Sequence, residues 1–345
     1  MRRILGFVAL GLLIAGLVVG YLYWKRVLDI NTQMKRNETR VLYIPTGATY
    51  QDVLDSLRSG EFLKNYQTFN WVAEKKNYPQ LVKAGRYELR GHLTNNQLVN
   101  KLRAGDQQAL HLTLNNISGI YELAGVLGEK LEPDSLSFLN LFRSEEALSA
   151  FGVNPNTLTA YFLPNTYEVW WNTSPAAFLK RMRREFDQFW TDQRKAQAEK
   201  MNLTPIEVVT LASIVESETV QPSEQPTVAG LYINRLRRNM RLQSDPTVIY
   251  AIRLDNPQVQ IRRVLNRHLR YESPYNTYLN AGLPPGPIKI PELATVDAVL
   301  NYEKHNYIFM AADPERPGFH NFASNLRQHN INARKYRNWA NRAGL

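Results

Sequence analysis

The chain has 345 residues and no cysteine, and its 42 Lys and Arg outnumber its 31 Asp and Glu to give a formal charge of +11. That length suggests two or three domains of about 100–200 residues each. With 44% hydrophobic and 11% aromatic residues, wholesale disorder is excluded. The lack of cysteine excludes disulfides, thiolate metal sites, iron–sulfur clusters and a cysteine nucleophile, and the cationic excess favours an anionic partner.

Residues 4–24 read ILGFVALGLLIAGLVVGYLYW, 21 residues without a charge. As a helix they span about 31 Å, the thickness of a bilayer core. Arg2 and Arg3 precede the run. Tyr21, Tyr23 and Trp24 close it with rings suited to the head-group layer. A cleaved signal peptide needs a shorter apolar core and a small-residue cleavage site. The expectation is therefore an uncleaved single-pass anchor over 4–24, with a cytoplasmic tail of 1–3 and the rest of the chain outside the cytoplasm. Residues 25–41 are polar and mixed in charge, as in a short linker.

A small module is expected over 42–112, in the order β-α-α-β-α. A strand at 41–44 meets a turn at Pro45-Thr46-Gly47. One helix carries Val53, Leu54 and Leu57 at helical spacing, and a second carries Phe69, Trp71 and Val72. A strand follows at 82–89, then a helix opened by Thr94 and closed by Gly105. Residues 113–150 read as mostly helical, with Asp134 or Ser135 as a cap. Residues 175–200 read as one long charged helix whose apolar side holds Phe178, Met182, Phe186, Phe189 and Trp190. No internal repeat or low-complexity tract interrupts the chain.

Chemistry concentrates further on. Thr204-Pro205-Ile206-Glu207 is a capping box with proline at the first helical position, so a helix should run from 205 to about 219. Val208, Leu211, Ala212, Ile214 and Val215 define a buried arc at 100° per residue. Glu218 falls inside that arc near the helix C-terminus, and Glu216 falls at its edge. Desolvation and the negative end of the helix dipole both favour a protonated carboxyl there, which a general acid requires. Periodicity alone leaves open that Glu218 is simply solvated where the helix ends. Downstream, Gln243 and Asp245 precede Pro246, and Tyr275, Asn276, Thr277 and Tyr278 lie between Pro274 and a GLPPGPI run. Tyrosine rings stack on sugar faces, while amides and acids bond hydroxyls. The motifs HExxH, GxSxG and GxxxxGK[ST] are all absent. The six histidines are scattered, so no metal or cofactor is expected. The basic residues form no stripe with interleaved aromatics, which argues against nucleic acid.

The segments IVESET (214–219), LYINRLRRNMRLQSDPTVIY (231–250), YNTY (275–278), GLPPGPI (282–288) and FHNFASNLRQHN (319–330), in this order, resemble the endolytic murein transglycosylase or YceG-like family. The resemblance implies an α+β fold: a single N-terminal transmembrane helix, a small LysM-like module, and a larger α+β catalytic domain over 113–345 with its core at about 155–345. It also implies a protein of the bacterial inner membrane that faces the cell-wall space. Its substrate would be nascent peptidoglycan glycan, cut at MurNAc-β-1,4-GlcNAc bonds with release of 1,6-anhydroMurNAc ends. That activity would terminate strand polymerisation, with peptidoglycan synthases as partners. The family's catalytic carboxyl falls on Glu218. Gln243, Asp245, Tyr275, Asn276, Tyr278 and Asn325 would line the cleft, and Glu216, Glu224 and His320 complete the candidate set. Many members carry an acid where this chain has Asn165, so that position is given no ionic role. Two alternatives stay open: a non-catalytic, membrane-anchored glycan-binding scaffold of the wall-synthesis machinery, and a muramidase using Asp245 as a second carboxylate.

Overall fold

The computed structural model describes residues 2–261 and 263–343. Met1, assigned above to the cytoplasmic tail, lies outside them, as do residues 262 and 344–345 of the expected catalytic domain. In chain order the elements are α1 (Arg2–Val27), β1 (Thr39–Ile44), α2 (Tyr50–Ser59), α3 (Tyr66–Lys75), β2 (Gly85–Arg90), α4 (Asn95–Ala104) and β3 (Leu110–Leu114). Then come α5 (Ile120–Lys130), α6 (Ser135–Arg143), α7 (Glu145–Ser149), β4 (Asn165–Val169), α8 (Pro175–Phe189), α9 (Asp192–Lys200) and α10 (Pro205–Glu218). Last are α11 (Gln225–Arg237), α12 (Asp245–Asp255), α13 (Leu293–Leu300), β5 (Phe309–Ala312), β6 (His320–Ala323) and α14 (Leu326–Ala343). The described strands pair two by two, β1 with β2, β3 with β4 and β5 with β6, so the architecture is α+β with helices dominant.

The chain divides into two units. The first holds the residues up to Leu112 with Lys130–Pro133 and Glu168–Ser174. Within it, the stretch Phe7–Val27 of α1 has a mean hydropathy of 2.1, and its 18-residue apolar window has no buried share. By length and composition it can cross a membrane, and a signal sequence passes the same test. The helix runs past Trp24 to Val27, whose side chain is buried. The segment 25–41, expected to be a short linker, is held in this unit at several points. Ile30 bridges to Thr94 and Thr32 to Leu63. The buried Asn31 amide donates to Asn95 Oδ1 at 2.7 Å and to the Asn65 carbonyl at 2.8 Å. Polar residues are used here because they complete the backbone pairing of a buried segment. Beyond them β1 and β2 run antiparallel, with Ile44 opposite Gly85 and Thr39 opposite Arg90. They pack with α2, α3 and α4 around Leu42, Ile44, Leu57, Phe69, Tyr87 and Leu98. Thr49 with Asp52 and Thr94 with Gln97 form the capping boxes of α2 and α4.

The second unit comprises Thr113–Glu129, Asp134–Tyr167 and the chain from Pro175 onward. Its axis is α10, which packs against α9, α11, α12 and α13. The single helix expected over 175–200 is two helices. Trp190 is buried at the break, and Thr191, in extended backbone, caps α9 by accepting from Arg194 N. The Arg194 guanidinium then reaches Asp297 at 3.1 Å. Burying that tryptophan and restarting with a new cap turns the charged α9 away from the line of α8. The proline-rich run also has a steric reason. A Cβ at Gly286 would stand 1.8 Å from the Asn156 carbonyl oxygen, so only glycine permits this approach. Two residues later, Ile288 N donates to Ser213 Oγ of α10 at 3.1 Å.

Candidate active site

Glu218 is the last residue of α10, whose N-terminus is closed by the Thr204–Glu207 capping box. Its Oε1 accepts from Ser244 Oγ, and Tyr232 of α11 donates to the same carboxyl. Ser244 is the N-cap of α12. Its amide donates to Thr277 Oγ1 at 3.0 Å, and Thr277 Oγ1 lies 2.9 Å from Thr247 Oγ1. The hydroxyl that meets Glu218 is therefore held by a buried threonine pair. Burial pushes the Glu218 carboxyl above its ordinary value. The Ser244 and Tyr232 hydrogen bonds oppose this, Asp245 adds to it, and His320 pulls it down. Burial outweighs the hydroxyl donors because neither donor carries a charge. The carboxyl can thus hold its proton at a pH where ordinary carboxylates have lost theirs.

Asp245 and Tyr278 are joined at this edge, Tyr278 Oη donating to Asp245 Oδ1 at 2.7 Å. Gln243 is exposed beside them, in left-handed backbone at φ 52°. Its backbone N–H donates to the Thr277 carbonyl at 3.1 Å. Arg235 sits behind the site, 7% exposed. It donates to the carbonyls of Ile308 at 2.7 Å and Leu242 at 2.8 Å and to Gln243 Oε1 at 3.3 Å. A buried cation held by carbonyls stiffens the 241–243 turn and keeps its field on Glu218, Tyr232 and Tyr278. Glu224 and His320 form a second carboxyl-containing pair. Glu224 Oε1 accepts from the His320 amide at 2.8 Å, and Oε2 lies 3.0 Å from His320 Nδ1. Thr219 Oγ1 also donates to Glu224 Oε2, at 3.2 Å.

Other expected cleft residues do different work. Asn276 is fully buried. Its amide protons go to the carbonyls of Leu269 at 3.1 Å and Tyr271 at 2.8 Å, and its Oδ1 accepts from Tyr278 N at 2.9 Å. Tyr275 is buried against Tyr250, ring centroids 4.9 Å apart, and donates to the Asn156 carbonyl. Expected to line the cleft, both fasten the loop that carries Thr277 and Tyr278. Asn325 is an exposed cap of α14, accepting from Gln328 N at 2.9 Å. Glu216 is tied to Lys289 Nζ at 2.6 Å, the Glu292 amide at 2.6 Å and Thr295 Oγ1 at 2.9 Å, which locks α10 to the start of α13. Tyr232, Ser244 and Arg235 were absent from the sequence-derived set. Their one local signal was a buried-type tyrosine three residues before an arginine in the quoted LYINRLRR segment. Among the described residues no group of three or more His, Cys, Asp or Glu could hold a metal ion.

Residues 42–335 match the YceG-like family. The chain belongs to that family. This YceG-like chain is 27% identical over 341 residues to the endolytic murein transglycosylase of Bacillus subtilis (strain 168), covering 93% of this chain and 91% of that protein. It is 28% identical over 360 residues to the endolytic murein transglycosylase of Streptococcus pneumoniae serotype 2 (strain D39), covering 96% of this chain but 64% of that longer protein. A crystal structure of a yceG-like protein from Listeria monocytogenes superposes with a TM-score of 0.53 at 26% identity, over 85% of this chain and 98% of that one.

Proposed function

We propose that this YceG-like chain is a lyase, an endolytic transglycosylase of peptidoglycan, with Glu218 as its catalytic acid and base. The observation that carries the reading is the state of one side chain. Glu218 is a carboxyl at the end of a buried helix, pushed up by burial and bonded only to neutral hydroxyls. Such a group holds a proton until a glycosidic oxygen takes it. The MurNAc C1–O4 bond then breaks as the oxygen gains the proton. The MurNAc 6-hydroxyl attacks C1 and returns its own proton to Glu218, leaving a 1,6-anhydro end. No water is consumed, so a second carboxylate is not required. Tyr278, Asp245 and Gln243 stand at the edge where sugar hydroxyls would arrive. The names of the relatives support peptidoglycan as substrate. The apolar α1 suits a single-pass anchor that holds the second unit in the wall space at the inner membrane, and residues 42–112 would be the LysM-like module. Termination of nascent strands and a synthase partner rest on the family resemblance.

The test is product analysis. Full-length protein in detergent is given uncrosslinked nascent glycan, and the soluble products are weighed by mass spectrometry. Anhydro ends are expected from the wild type, with a loss of about 10²–10⁴-fold in Glu218→Gln. Reducing ends would instead indicate hydrolysis involving Asp245. Binding without products would leave only a glycan-holding scaffold.

A further inference from the structure

A groove of about 530 Å³ in the second unit starts where the carboxyl site stops. Its floor begins at Ser217 and Pro246, the sequence neighbours of Glu218 and Asp245, and follows one face of α12 through Ile249, Tyr250 and Arg253. The opposite wall is the start of α5, at residues 119–122. The walls are firm. Tyr250 is packed on Tyr275, and burial pushes its hydroxyl up to about 12.

The charges along the groove are unequal. Lys289 is held by Glu216 at 2.6 Å, and Glu122 accepts from Ser118 N at 2.8 Å. Arg253 alone among the groove's charged side chains has no partner among the described residues. From Pro246 to Arg253 the axis of α12 rises about 10 Å at 1.5 Å per residue. That is the reach of about three extended peptide residues. A ligand that fits must therefore branch from the sugar beside Glu218, extend for a few residues past an aromatic and aliphatic wall, and present an anion at the far end.

We propose that this groove binds the peptide stem of the glycan, with the Arg253 guanidinium pairing with a stem carboxylate two or three residues from the MurNAc lactyl group. The proposal rests on the peptidoglycan reading above and adds to it that the enzyme selects stem-bearing strands. Continuity with the Glu218 site, charge and length favour this occupant.

The test uses the full-length protein and two uncrosslinked glycans, one with stems and one stripped by an amidase. Wild type should cut the stem-bearing glycan with the lower KM. Arg253→Gln should raise that KM about tenfold, the worth of a charge-assisted hydrogen bond, with kcat nearly unchanged. On stripped glycan the variant should match the wild type, and Arg253→Lys should recover part of the loss. Equal KM values for the two glycans, or an Arg253→Gln effect of the same size on both, would overturn the proposal. If wild type cuts neither glycan, the enzymatic reading itself falls and takes this inference with it.

Discussion

Glu216 and Glu218 lie two positions apart on α10, and their surroundings are opposite in kind. Glu216 meets a lysine ammonium, a backbone amide and a threonine hydroxyl. Glu218 meets a serine and a tyrosine hydroxyl, with a second carboxylate nearby. A carboxyl tied to a lysine, an amide and a hydroxyl on neighbouring segments serves as a structural joint. A carboxyl that meets neutral donors in a buried site stays able to gain and lose a proton. Identical side chains on one helix end thus differ by what faces them, and the proposed reading gives the holding role to Glu216 and the reacting role to Glu218.

The sharpest way to break that contrast is to remove each charge in turn. Glu218→Gln should lose about 10²–10⁴-fold in turnover, or about 3–5 kcal/mol of transition-state stabilisation, while remaining folded. Glu216→Gln should keep turnover within a few-fold at a temperature where it is folded, and should lose about 1–3 kcal/mol of stability by stranding Lys289. Thermal melting and single-substrate kinetics on the two variants decide it. An inactive, fully stable Glu216→Gln would reverse the assignment.

Stability against pH separates the two sites next. A carboxyl whose folded value is raised stays protonated in the native state while the unfolded chain has already released its proton. Over that interval the native state binds more protons, so stability falls as pH rises from the ordinary carboxylate range to the raised value. Glu218 imposes this decline, and Glu218→Gln should abolish it. The variant's melting temperature should therefore exceed that of wild type by a margin that grows as pH rises above the ordinary carboxylate range, at about 2–4 °C per kcal/mol. A margin independent of pH would mean that the carboxyl is solvated and unshifted.

Some of this was legible in the sequence and some was not, for reasons tied to range. Local rules succeeded: the Thr204–Glu207 box starts α10 where it was expected, and the uncharged run forms a helix long enough for a bilayer. Helical periodicity alone could not place Glu218. Every residue of α10 from 208 to 215 is buried, because the helix is surrounded, and a surrounded helix has no arc to read. What encloses Glu218 comes from α11 and from the Ser244 cap, contacts that no spacing within α10 encodes. Tyr275 and Asn276 show a related limit. An amide that fastens a loop and an amide that grips a sugar are the same residue in a sequence, and only the carbonyls of Leu269 and Tyr271 tell them apart.

Asn325 carries the smallest effect and tests the outer boundary of the site. The family resemblance puts it in the cleft, whereas its Oδ1 accepts from Gln328 N at 2.9 Å and its residue is exposed at the start of α14. A side chain used as a helix cap contributes about 0.5–2 kcal/mol, and alanine removes that contribution. Because α14 packs on β5 and β6, and β6 begins at His320 beside Glu224, loosening α14 should reach the Glu218 carboxyl through that hairpin. Asn325→Ala should therefore lower the melting temperature by a few degrees while KM and kcat stay within about twofold. Asn325→Asp should restore stability, since aspartate caps as well. A tenfold rise in KM with an unchanged melting temperature would instead put Asn325 in contact with the glycan and extend the cleft to the end of α14.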